Sequence, residues 1–344
     1  MLPALSQPRF SCTFPKAVVE WAQKNGEGGA DVKAPKNKTI DLELDEGRAY
    51  LDRCVHVDGP AALEDVLDRT VCGDCFEVLP LLPRGCADLL IADPPYNLTK
   101  DYHGARFHRM DNGAYAEYTI RWLEAALPVL KPGGSVYVCC DWRSSLVIGP
   151  VLEARLQLRS RITWQREKGR GAARNWKNAL EDIWFATLSQ DCYFDAAAVR
   201  QRRRVLAPYR DKGQPKDWQE TEDGRFRDTA PSNFWDDISV PYWSMPENTA
   251  HPTQKPEKLM AKLILASCPK GGTVLDPFLG SGSSAVTAKK LGRHFVGIEQ
   301  NPRYCVWCEK RLELAEKNPA IQGYADGIFW ERNTFAMQKR AESE

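Results

Sequence analysis

The sequence predicts an α/β protein built on a doubly wound, mostly parallel β-sheet. Strand-like and helix-like segments alternate from Leu63 onward, and Ala87–Ala92 is apolar throughout apart from Asp88. A continuously apolar strand is typical of a parallel sheet that is covered on both faces. A glycine-rich turn also joins a predicted strand, Thr273–Asp276, to the helix that follows it. Such sheets bind ligands at turns of this kind.

The elements follow one another along most of the chain. We predict strands at Val71–Cys72, Ala87–Ala92, Ser135–Cys140, Arg161–Arg166, Asp182–Leu188, Thr273–Asp276 and His294–Glu299. We predict helices at Phe76–Leu82, Tyr115–Leu130, Pro256–Ser267, Ser283–Leu291 and Tyr304–Ala315. Pro128 should end the second helix early, because proline cannot continue the helical hydrogen-bond ladder.

Two regions lack this regularity. Residues 1–62 are interrupted by Gly, Pro and Asn, and we predict an N-terminal extension of unknown role before a domain over residues 63–344. Residues 195–250 lose their periodicity and contain five prolines, which predicts long loops inserted into that domain. Loops this long inside a compact domain are usually functional or disordered.

The composition is that of an ordinary soluble protein, with 43% hydrophobic and 27% charged residues. No apolar stretch approaches the ~18 residues of a membrane span, and no secretory h-region is present near the first residue, so we expect a cytoplasmic protein. In that reducing compartment the 11 cysteines should be free thiols. The pairs Cys72/Cys75 and Cys305/Cys308 each lack a second ligand pair at zinc-site spacing, so we predict no metal.

The turn Asp276–Gly282 predicts a nucleotide-like ligand at a helix N-terminus. It is neither G-x-G-x-x-G nor a P-loop, which disfavours dinucleotides and triphosphates. Glu299 ends the next predicted strand about 20 residues later, where an acidic side chain can accept both ribose hydroxyls. Thr253 and Lys255 precede the predicted helix at Pro256 and could bind a ligand carboxylate there.

Asp93-Pro94-Pro95-Tyr96, which we call the tetrad, ends the strand Ala87–Ala92. The Asp93 carboxylate and the Pro94 carbonyl can each accept one N–H of a planar amino group, and the prolines would hold that carbonyl rigidly. Tyr96 offers a flat face on which a base that has left the duplex could stack. The tetrad therefore predicts catalysis on an exocyclic amine.

Together these segments resemble the beta group of DNA amino-methyltransferases, in which the tetrad precedes the cofactor turn. The resemblance covers residues 63 to about 315 and rests on motifs in the family's order. They are Cys72-Gly-Asp-Cys75, Asp93-Pro-Pro-Tyr-Asn97, Lys131-Pro-Gly-Gly134, His251-Pro-Thr-Gln-Lys-Pro256, Asp276-Pro-Phe-Leu-Gly-Ser-Gly282 and Val296-Gly-Ile-Glu299. It implies a Rossmann-like methyltransferase fold with a circularly permuted motif order. It also implies S-adenosylmethionine as cofactor, double-stranded DNA as substrate and 195–250 as the target-recognition region.

The resemblance also assigns residues to roles. Asp74 would contact the adenine of the cofactor, Glu299 its ribose, and Phe278 to Gly282 the part near its methionine. The full set of cofactor candidates is Asp74, Asp93, Thr253, Lys255, Asp276, Phe278, Gly280, Ser281, Gly282 and Glu299.

A basic stretch supplies the candidates for DNA contact. Residues 155–216 carry 15 basic and 6 acidic side chains in a chain whose net charge is +1. Such a local excess is expected of a surface that contacts phosphates. We assign Arg200, Arg202, Arg203 and Arg204 to DNA, with 166–177 as the next candidate.

Several alternatives stay open. Asp-Pro-Pro-Tyr favours adenine N6 as the target, whereas cytosine-N4 enzymes of this family more often carry Ser first. RNA and protein-amide methyltransferases typically place Asn first and the cofactor turn earlier. A DNA-binding protein whose catalysis has lapsed is a third alternative, which the intact Asp93 and Glu299 disfavour. The recognition sequence, a homodimer and a cognate restriction endonuclease are not determined by the sequence.

Overall fold

The computed structural model describes residues 36–166, 173–206, 208–221 and 224–331. Two compact units divide the chain at Asn37/Lys38, and the described fold is that of the second unit, Lys38–Glu344. Its strands are β1 (Arg69–Cys72), β2 (Ala87–Ala92), β3 (Lys100–Tyr102), β4 (Ala105–Phe107), β5 (Leu130–Cys140), β6 (Gln157–Gln165), β7 (Leu180–Thr187), β8 (Gln201–Arg204), β9 (Arg210–Asp211), β10 (Gln214–Pro215), β11 (Gln219–Thr221), β12 (Gly224–Thr229), β13 (Phe234–Trp235), β14 (Thr273–Asp276), β15 (His294–Glu299), β16 (Tyr324–Ala325) and β17 (Ile328–Trp330).

The α-helices are α1 (Arg48–Leu51), α2 (Leu63–Val66), α3 (Cys75–Val78), α4 (Asn112–Ala126), α5 (Trp142–Glu153), α6 (Glu257–Ser267), α7 (Ser283–Lys290) and α8 (Pro302–Lys317). As Pro128 predicted, α4 ends at Ala126 and a 3-10 turn, Leu127–Val129, follows it. The helix starts earlier than predicted because the Asp111 carboxylate caps it, accepting from the amide of Ala114 at 2.9 Å.

The main sheet has eight strands in the order β1-β15-β14-β2-β5-β7-β6-β13. Pairing is parallel from β1 through β5, β7 runs antiparallel to both of its neighbours, and β13 is parallel to β6. The predicted doubly wound, mostly parallel sheet is therefore confirmed. The predicted bounds of β2, β14 and β15 match those observed.

Both faces of the sheet are covered, as the continuously apolar strands predicted. Within β2, Leu90 and Ala92 pack on one side with α4 and α5. Leu89 and Ile91 pack on the other side with α6, α7 and α8. Successive strand residues point to opposite faces, so an apolar residue at every position is what burial on both sides requires.

Several elements differ from the predictions, among them α5 and the strands of 195–250. Helix α5 was not predicted, because Pro150 lies within it and proline disfavours a helix in a reading of the sequence alone. The region 195–250 was expected to be irregular, but it forms short strands that contribute to a five-stranded sheet, which we call the small sheet. Its order is β11-β12-β8-β17-β16, so strands near the C-terminus of the described chain complete it.

The compact unit begins before the predicted boundary at residue 62. Arg303 on α8 binds the carboxylates of Asp41 at 2.9 Å and Glu43 at 2.6 Å. The indole of Trp307 donates to the carbonyl oxygen of Leu42 at 3.0 Å. Residues 38–62 therefore pack onto the predicted domain, whereas residues 1–35 of the predicted extension lie outside the described residues.

One cysteine of each Cys-x-x-Cys pair meets the other because β1, which Cys72 ends, lies beside β15, which α8 follows. The thiol of Cys72 contacts that of Cys305, and this hydrogen bond lowers the pKa of Cys72. The ten cysteines among the described residues are all free thiols. No group of three or more His, Cys, Asp or Glu side chains within those residues is arranged to hold a metal ion. No helix in the same part of the chain is long and apolar enough to cross a membrane.

Candidate active site

A cavity of about 470 Å³ opens where four parallel strands of the main sheet end. Gly73 and Asp74 follow β1, the tetrad follows β2, the glycine-rich turn follows β14, and Glu299 ends β15. The carboxyl ends of neighbouring parallel strands meet at one edge of a sheet, where doubly wound folds bind ligands. The two predicted halves of the site therefore share one cavity.

Glu299 and the glycine-rich turn hold each other in place. The amide of Gly280 donates to Oε2 of Glu299 at 2.7 Å, and the amide of Asn301 donates to Oε1 at 2.8 Å. Gly280 has φ +55°, which a residue without a Cβ adopts without strain. The carboxylate is thus fixed at the cavity wall by backbone donors, and lone pairs remain on both of its oxygens.

Gly282 alone among the predicted cofactor residues does not line the cavity. It has φ +83° and caps α7, and a Cβ added there would lie 2.3 Å from the Sγ of Cys308. This glycine is therefore required by the close approach of α7 to α8. The sequence motif alone could not separate this packing role from a ligand contact.

The other predicted cofactor residues lie around the cavity. Asp74 caps α3, its Oδ1 accepting from the amide of Phe76 at 2.9 Å. Phe278 packs edge-on against Trp122, with ring centroids 5.4 Å apart. Ser281 is buried and its carbonyl oxygen accepts from Arg311 at 2.8 Å. Thr253 also lines the cavity.

Two carboxyls in this cavity have unusual pKa values. Burial raises the pKa of Glu299 to about 7, although the backbone donors of Asn301 and Gly280 oppose that shift. Burial likewise raises the pKa of Asp276 to about 7, against hydrogen bonds from the Ser284 hydroxyl and the Phe278 amide. Both groups therefore titrate near neutral pH, and no lysine or arginine among the described residues forms an ion pair with either of them.

Asp93 belongs to a group of buried and partly buried side chains, four of them charged, which we call the charge cluster: Asp93, Tyr96, Arg166, Glu181 and Lys255. Lys255 Nζ lies 2.6 Å from Oδ2 of Asp93, 3.0 Å from the Tyr96 hydroxyl and 3.4 Å from Oε2 of Glu181. The Tyr96 hydroxyl is 3.1 Å from Oδ1 of Asp93 and 2.9 Å from Oε2 of Glu181. Arg166 is ion-paired with the other oxygen of Glu181.

Lys255 is not placed as the sequence predicted. Its ammonium was assigned to a ligand carboxylate, but in the structure it lies between the carboxylates of Asp93 and Glu181. Burial disfavours the charged ammonium, and these two carboxylates outweigh that effect, so the pKa of Lys255 lies above its usual value. Two buried carboxylates this close need a cation, and Lys255 supplies it.

Sequence reasoning missed several residues of the site. Glu181 lies on β7, 85 positions from Tyr96, and nothing in its sequence neighbourhood distinguishes it. His251, in the segment before α6, stacks edge-on with Tyr304 at 4.4 Å and lines the cavity. Burial lowers the pKa of His251 to about 3, so the ring is neutral. The motif that runs from His251 to Pro256 was the only sequence signal that could have identified His251 as a residue of the site.

The four predicted DNA-contact arginines lie at β8, away from the residues that line the cavity. Arg202 forms a two-point ion pair with Asp228, at 2.8 and 2.9 Å. Arg203 lies 4.0 Å from Asp236 and 3.9 Å from Glu331. Arg200 and Arg204 are exposed, and no carboxylate among the described residues pairs with their guanidinium groups.

Comparison with known proteins decides the family. A family model described as DNA methylase, of the N6/N4 class, matches residues 87–310, which include the tetrad, the glycine-rich turn and Glu299. The chain belongs to this DNA methylase family. It is an S-adenosylmethionine-dependent DNA methyltransferase, which confirms the enzyme class and the cofactor that the sequence predicted.

Named relatives agree with that assignment. The Type II methyltransferase M.HpaI of Haemophilus parainfluenzae is 34% identical over 248 residues, 71% of this chain and 74% of the relative. The DNA adenine methyltransferase YhdJ of Escherichia coli K12 is 32% identical over 250 residues, 71% of this chain and 82% of the relative. The solved PvuII DNA methyltransferase, which is cytosine-N4-specific, matches with TM-score 0.54 and 16% identity over 71% of this chain and 85% of its own. That last likeness supports the methyltransferase fold only.

Proposed function

We propose that this methyltransferase transfers a methyl group to adenine N6 in a short double-stranded DNA sequence. The observation that carries the proposal is the single cavity in which the tetrad faces the glycine-rich turn and Glu299. Adenine is favoured over cytosine because Asp stands first in the tetrad. The E. coli relative named a DNA adenine methyltransferase supports that preference.

The cavity fits S-adenosylmethionine. Glu299 would accept the ribose hydroxyls, because its oxygens are bound only by backbone amides and retain lone pairs. Asp74 would contact the adenine, and Phe278, Gly280 and Ser281 would line the part near the methionine. When bound, the cofactor supplies an electrophilic methyl group on a positively charged sulfur. The carboxyls of Asp276 and Glu299 make this wall of the cavity suited to a cation.

The tetrad would prepare the target amine. An exocyclic amine is a weak nucleophile because its lone pair is delocalised into the ring. Asp93 and the Pro94 carbonyl would each accept one N–H and direct the lone pair out of the ring plane. Within the described chain the Pro94 carbonyl oxygen accepts no hydrogen bond, and Asp93 lies at the cavity surface. Asp93 would also take the proton that the nitrogen loses after transfer.

The function is tested by exposing unmethylated DNA to the purified protein and S-adenosylmethionine. Nucleoside mass spectrometry would then separate N6-methyladenine from N4-methylcytosine, and sequencing that detects modified bases would locate the site. N6-methyladenine at one short sequence is the expected result. N4-methylcytosine would assign the alternative base, and binding of DNA without transfer would indicate lapsed catalysis.

We infer that the small sheet, together with the rest of 195–250, forms the target-recognition region. Arg200 and Arg204 are its most suitable phosphate contacts, because Arg202 is already neutralised by Asp228. Electrostatic binding to DNA weakens with salt in proportion to the number of phosphates neutralised. Arginines without a protein carboxylate should therefore dominate the salt dependence.

Replacing Arg200 or Arg204 with Gln should weaken DNA binding on all sequences alike and lower the salt slope by roughly one per lost contact. Arg202→Gln is the matched control, and it should leave the slope unchanged. Fluorescence anisotropy across a salt series measures both quantities. If Arg202→Gln changed the slope and the other two variants did not, the contact surface would include the face that carries Arg202.

The raised carboxyl pKa values predict how cofactor binding depends on pH. Glu299 is protonated in the folded, cofactor-free protein below about pH 7. Ribose hydroxyls bind the ionised form better, so affinity for S-adenosylmethionine should rise between pH 6 and pH 8, by roughly tenfold for one such group. Glu299→Gln should weaken binding and flatten this dependence. The prediction would be contradicted if calorimetric titration of the wild type gave the same affinity at every pH between pH 6 and pH 8.

The same pKa values affect stability. A carboxyl whose folded-state pKa exceeds its unfolded value binds its proton more tightly when folded. These two carboxyls should therefore stabilise the folded, cofactor-free protein less as pH rises from the ordinary carboxyl range toward 7.

The remaining partners are also proposals. The relative M.HpaI is named a Type II methyltransferase, and we propose by analogy a role in a restriction-modification system with a cognate endonuclease. We also propose that the enzyme acts in the cytoplasm and pairs with a second copy of itself. Light scattering at assay concentrations would test the homodimer, and protection of methylated DNA from a nuclease encoded nearby would test the system.

A further inference from the structure

We propose that Glu181 is a positioning residue for methyl transfer: it accepts the hydrogen bond that the Tyr96 hydroxyl donates and so leaves Oδ1 of Asp93 available to the target amine. The inference rests on the proposed function, in which Asp93 accepts an N–H of that amine. The resemblance assigns no role to Glu181, and its place in the site follows from the geometry of the charge cluster.

Glu181 is well placed to organise the tetrad. It is the second residue of β7, opposite Trp164 in the register with β6, and only 3% of its surface is exposed. One carboxylate oxygen faces Tyr96 and Lys255, and the other holds Arg166. A charged side chain this buried would be costly without such partners.

The hydroxyl of Tyr96 has two acceptors but only one proton to give. Glu181 Oε2 lies 2.9 Å from it and Asp93 Oδ1 lies 3.1 Å from it, while Lys255 donates to the same hydroxyl oxygen at 3.0 Å. When the Tyr96 hydroxyl donates its proton to Glu181 in a hydrogen bond, Oδ1 of Asp93 remains free to accept a hydrogen bond from the target amine. Without Glu181, the phenol would donate to Asp93 and compete with the target amine.

Charge balance supports the same role. Lys255 and Arg166 together carry two positive charges, which Asp93 and Glu181 neutralise. Burial works to raise the pKa of Glu181, but Lys255 and Arg166 outweigh it and lower that pKa, so Glu181 is a carboxylate at neutral pH. Burial raises the pKa of Tyr96, with Asp93 and Glu181 adding to the effect, so its hydroxyl keeps the proton that is shared.

The test compares Glu181→Gln with Glu181→Leu, using Asp182→Asn as the matched control. Asp182 is the adjacent buried carboxylate on β7, but it points to the other face and contacts Thr163 and Arg161. Glu181→Leu should lower kcat roughly 10- to 100-fold, as small displacements of reacting groups do. Glu181→Gln keeps one acceptor and should lose less, and the calorimetric Kd for S-adenosylmethionine should be unchanged in each variant. Asp182→Asn should retain wild-type kcat.

A double-mutant cycle distinguishes competition for Asp93 from a merely structural effect. In a Tyr96→Phe background there is no phenol proton to redirect, so the loss caused by Glu181→Gln should shrink. Equal losses in both backgrounds, or a Glu181→Gln kcat matching that of Asp182→Asn, would overturn the inference. If the wild type itself transferred no methyl group to DNA, the proposed function would fail instead. Should Glu181→Leu not fold, the Gln variant and its cycle decide the matter.

Discussion

Replacing Asp93 with Ala should reduce methyl transfer by ~10²–10⁴-fold, the usual loss when one positioned proton acceptor is removed. Affinity for S-adenosylmethionine should stay largely intact, because the contacts proposed for its ribose and methionine ends come from Glu299 and the glycine-rich turn. Asp93→Asn should be nearly as inactive, since an amide is a weaker acceptor than a carboxylate. The prediction places the role of Asp93 at the target amine.

The charge cluster makes this experiment interpretable. When Asp93 is lost, Lys255 still faces Glu181 at 3.4 Å, so no buried cation is left without a carboxylate nearby. Asp88→Asn is a suitable control: Asp88 lies near the start of β2, where its carboxylate binds Lys131 at 2.8 Å and the Thr273 amide at 2.8 Å. Single-turnover rates and calorimetry measure the two quantities. Turnover of Asp93→Ala close to that of Asp88→Asn would remove Asp93 from the mechanism.

The parts of the site that the sequence predicted are those built from contiguous residues. The tetrad and the glycine-rich turn each follow a strand that is apolar on both faces. The apolar pattern predicts the position of the strand, and the motif residues predict the turn that follows it. Glu299 was predicted because it ends such a strand at a set distance from the turn. At these positions the hydrophobic pattern and the residue types of the turn predict the same structure, and a site is predictable from sequence where such signals agree.

Glu181 could not be predicted because its role depends on pairing across the sheet. Its contact with Tyr96 exists only because β7 runs antiparallel beside β5 and brings its first residues to the edge where β2 ends. In the sequence, Glu181 is one acid in a basic stretch. The position of Lys255 follows from the same pairing, because Glu181 places a second carboxylate near Asp93 and the ammonium lies between the two.

The small sheet was not predicted for a different reason. Its strands are two to six residues long, and those from 195–250 (β8, β11 and β12) are mostly polar and rich in Arg, so they show no apolar alternation. They are held by contacts distant in sequence: Arg202 pairs with Asp228 across β8 and β12, and β17 adds a parallel neighbour. The charge run that indicated DNA contact is thus partly a set of cross-strand ion pairs. Of the four assigned arginines, Arg200 and Arg204 have no carboxylate partner for their guanidinium groups among the described residues, so the proposal of DNA contact rests on these two.

Loss of Asp237 should reduce stability strongly. Its carboxylate neutralises two buried lysines of α6: Lys258 at 2.7 Å and Lys262 at 2.9 Å. Lys258 also donates to the carbonyl oxygen of Trp330, so this contact ties α6 to β17 of the small sheet. Burial lowers the pKa of Lys262 to about 8 even with the carboxylate present, which shows how poorly solvated the ammonium is.

Asp237→Ala should therefore lower the free energy of unfolding by about 3–5 kcal/mol, the usual cost of leaving a buried charge without its partner. Asp236→Ala is the matched control, because the neighbouring side chain is 50% exposed and its loss should cost little. Urea titration of both variants measures the difference. Replacing Asp237, Lys258 and Lys262 together with Leu, Met and Met should recover much of the loss, since the cost lies in the unpaired charges and not in the packing. If Asp237→Ala unfolded at the same urea concentration as Asp236→Ala, water must solvate the lysines, and the link between α6 and the small sheet would be weaker than its geometry indicates.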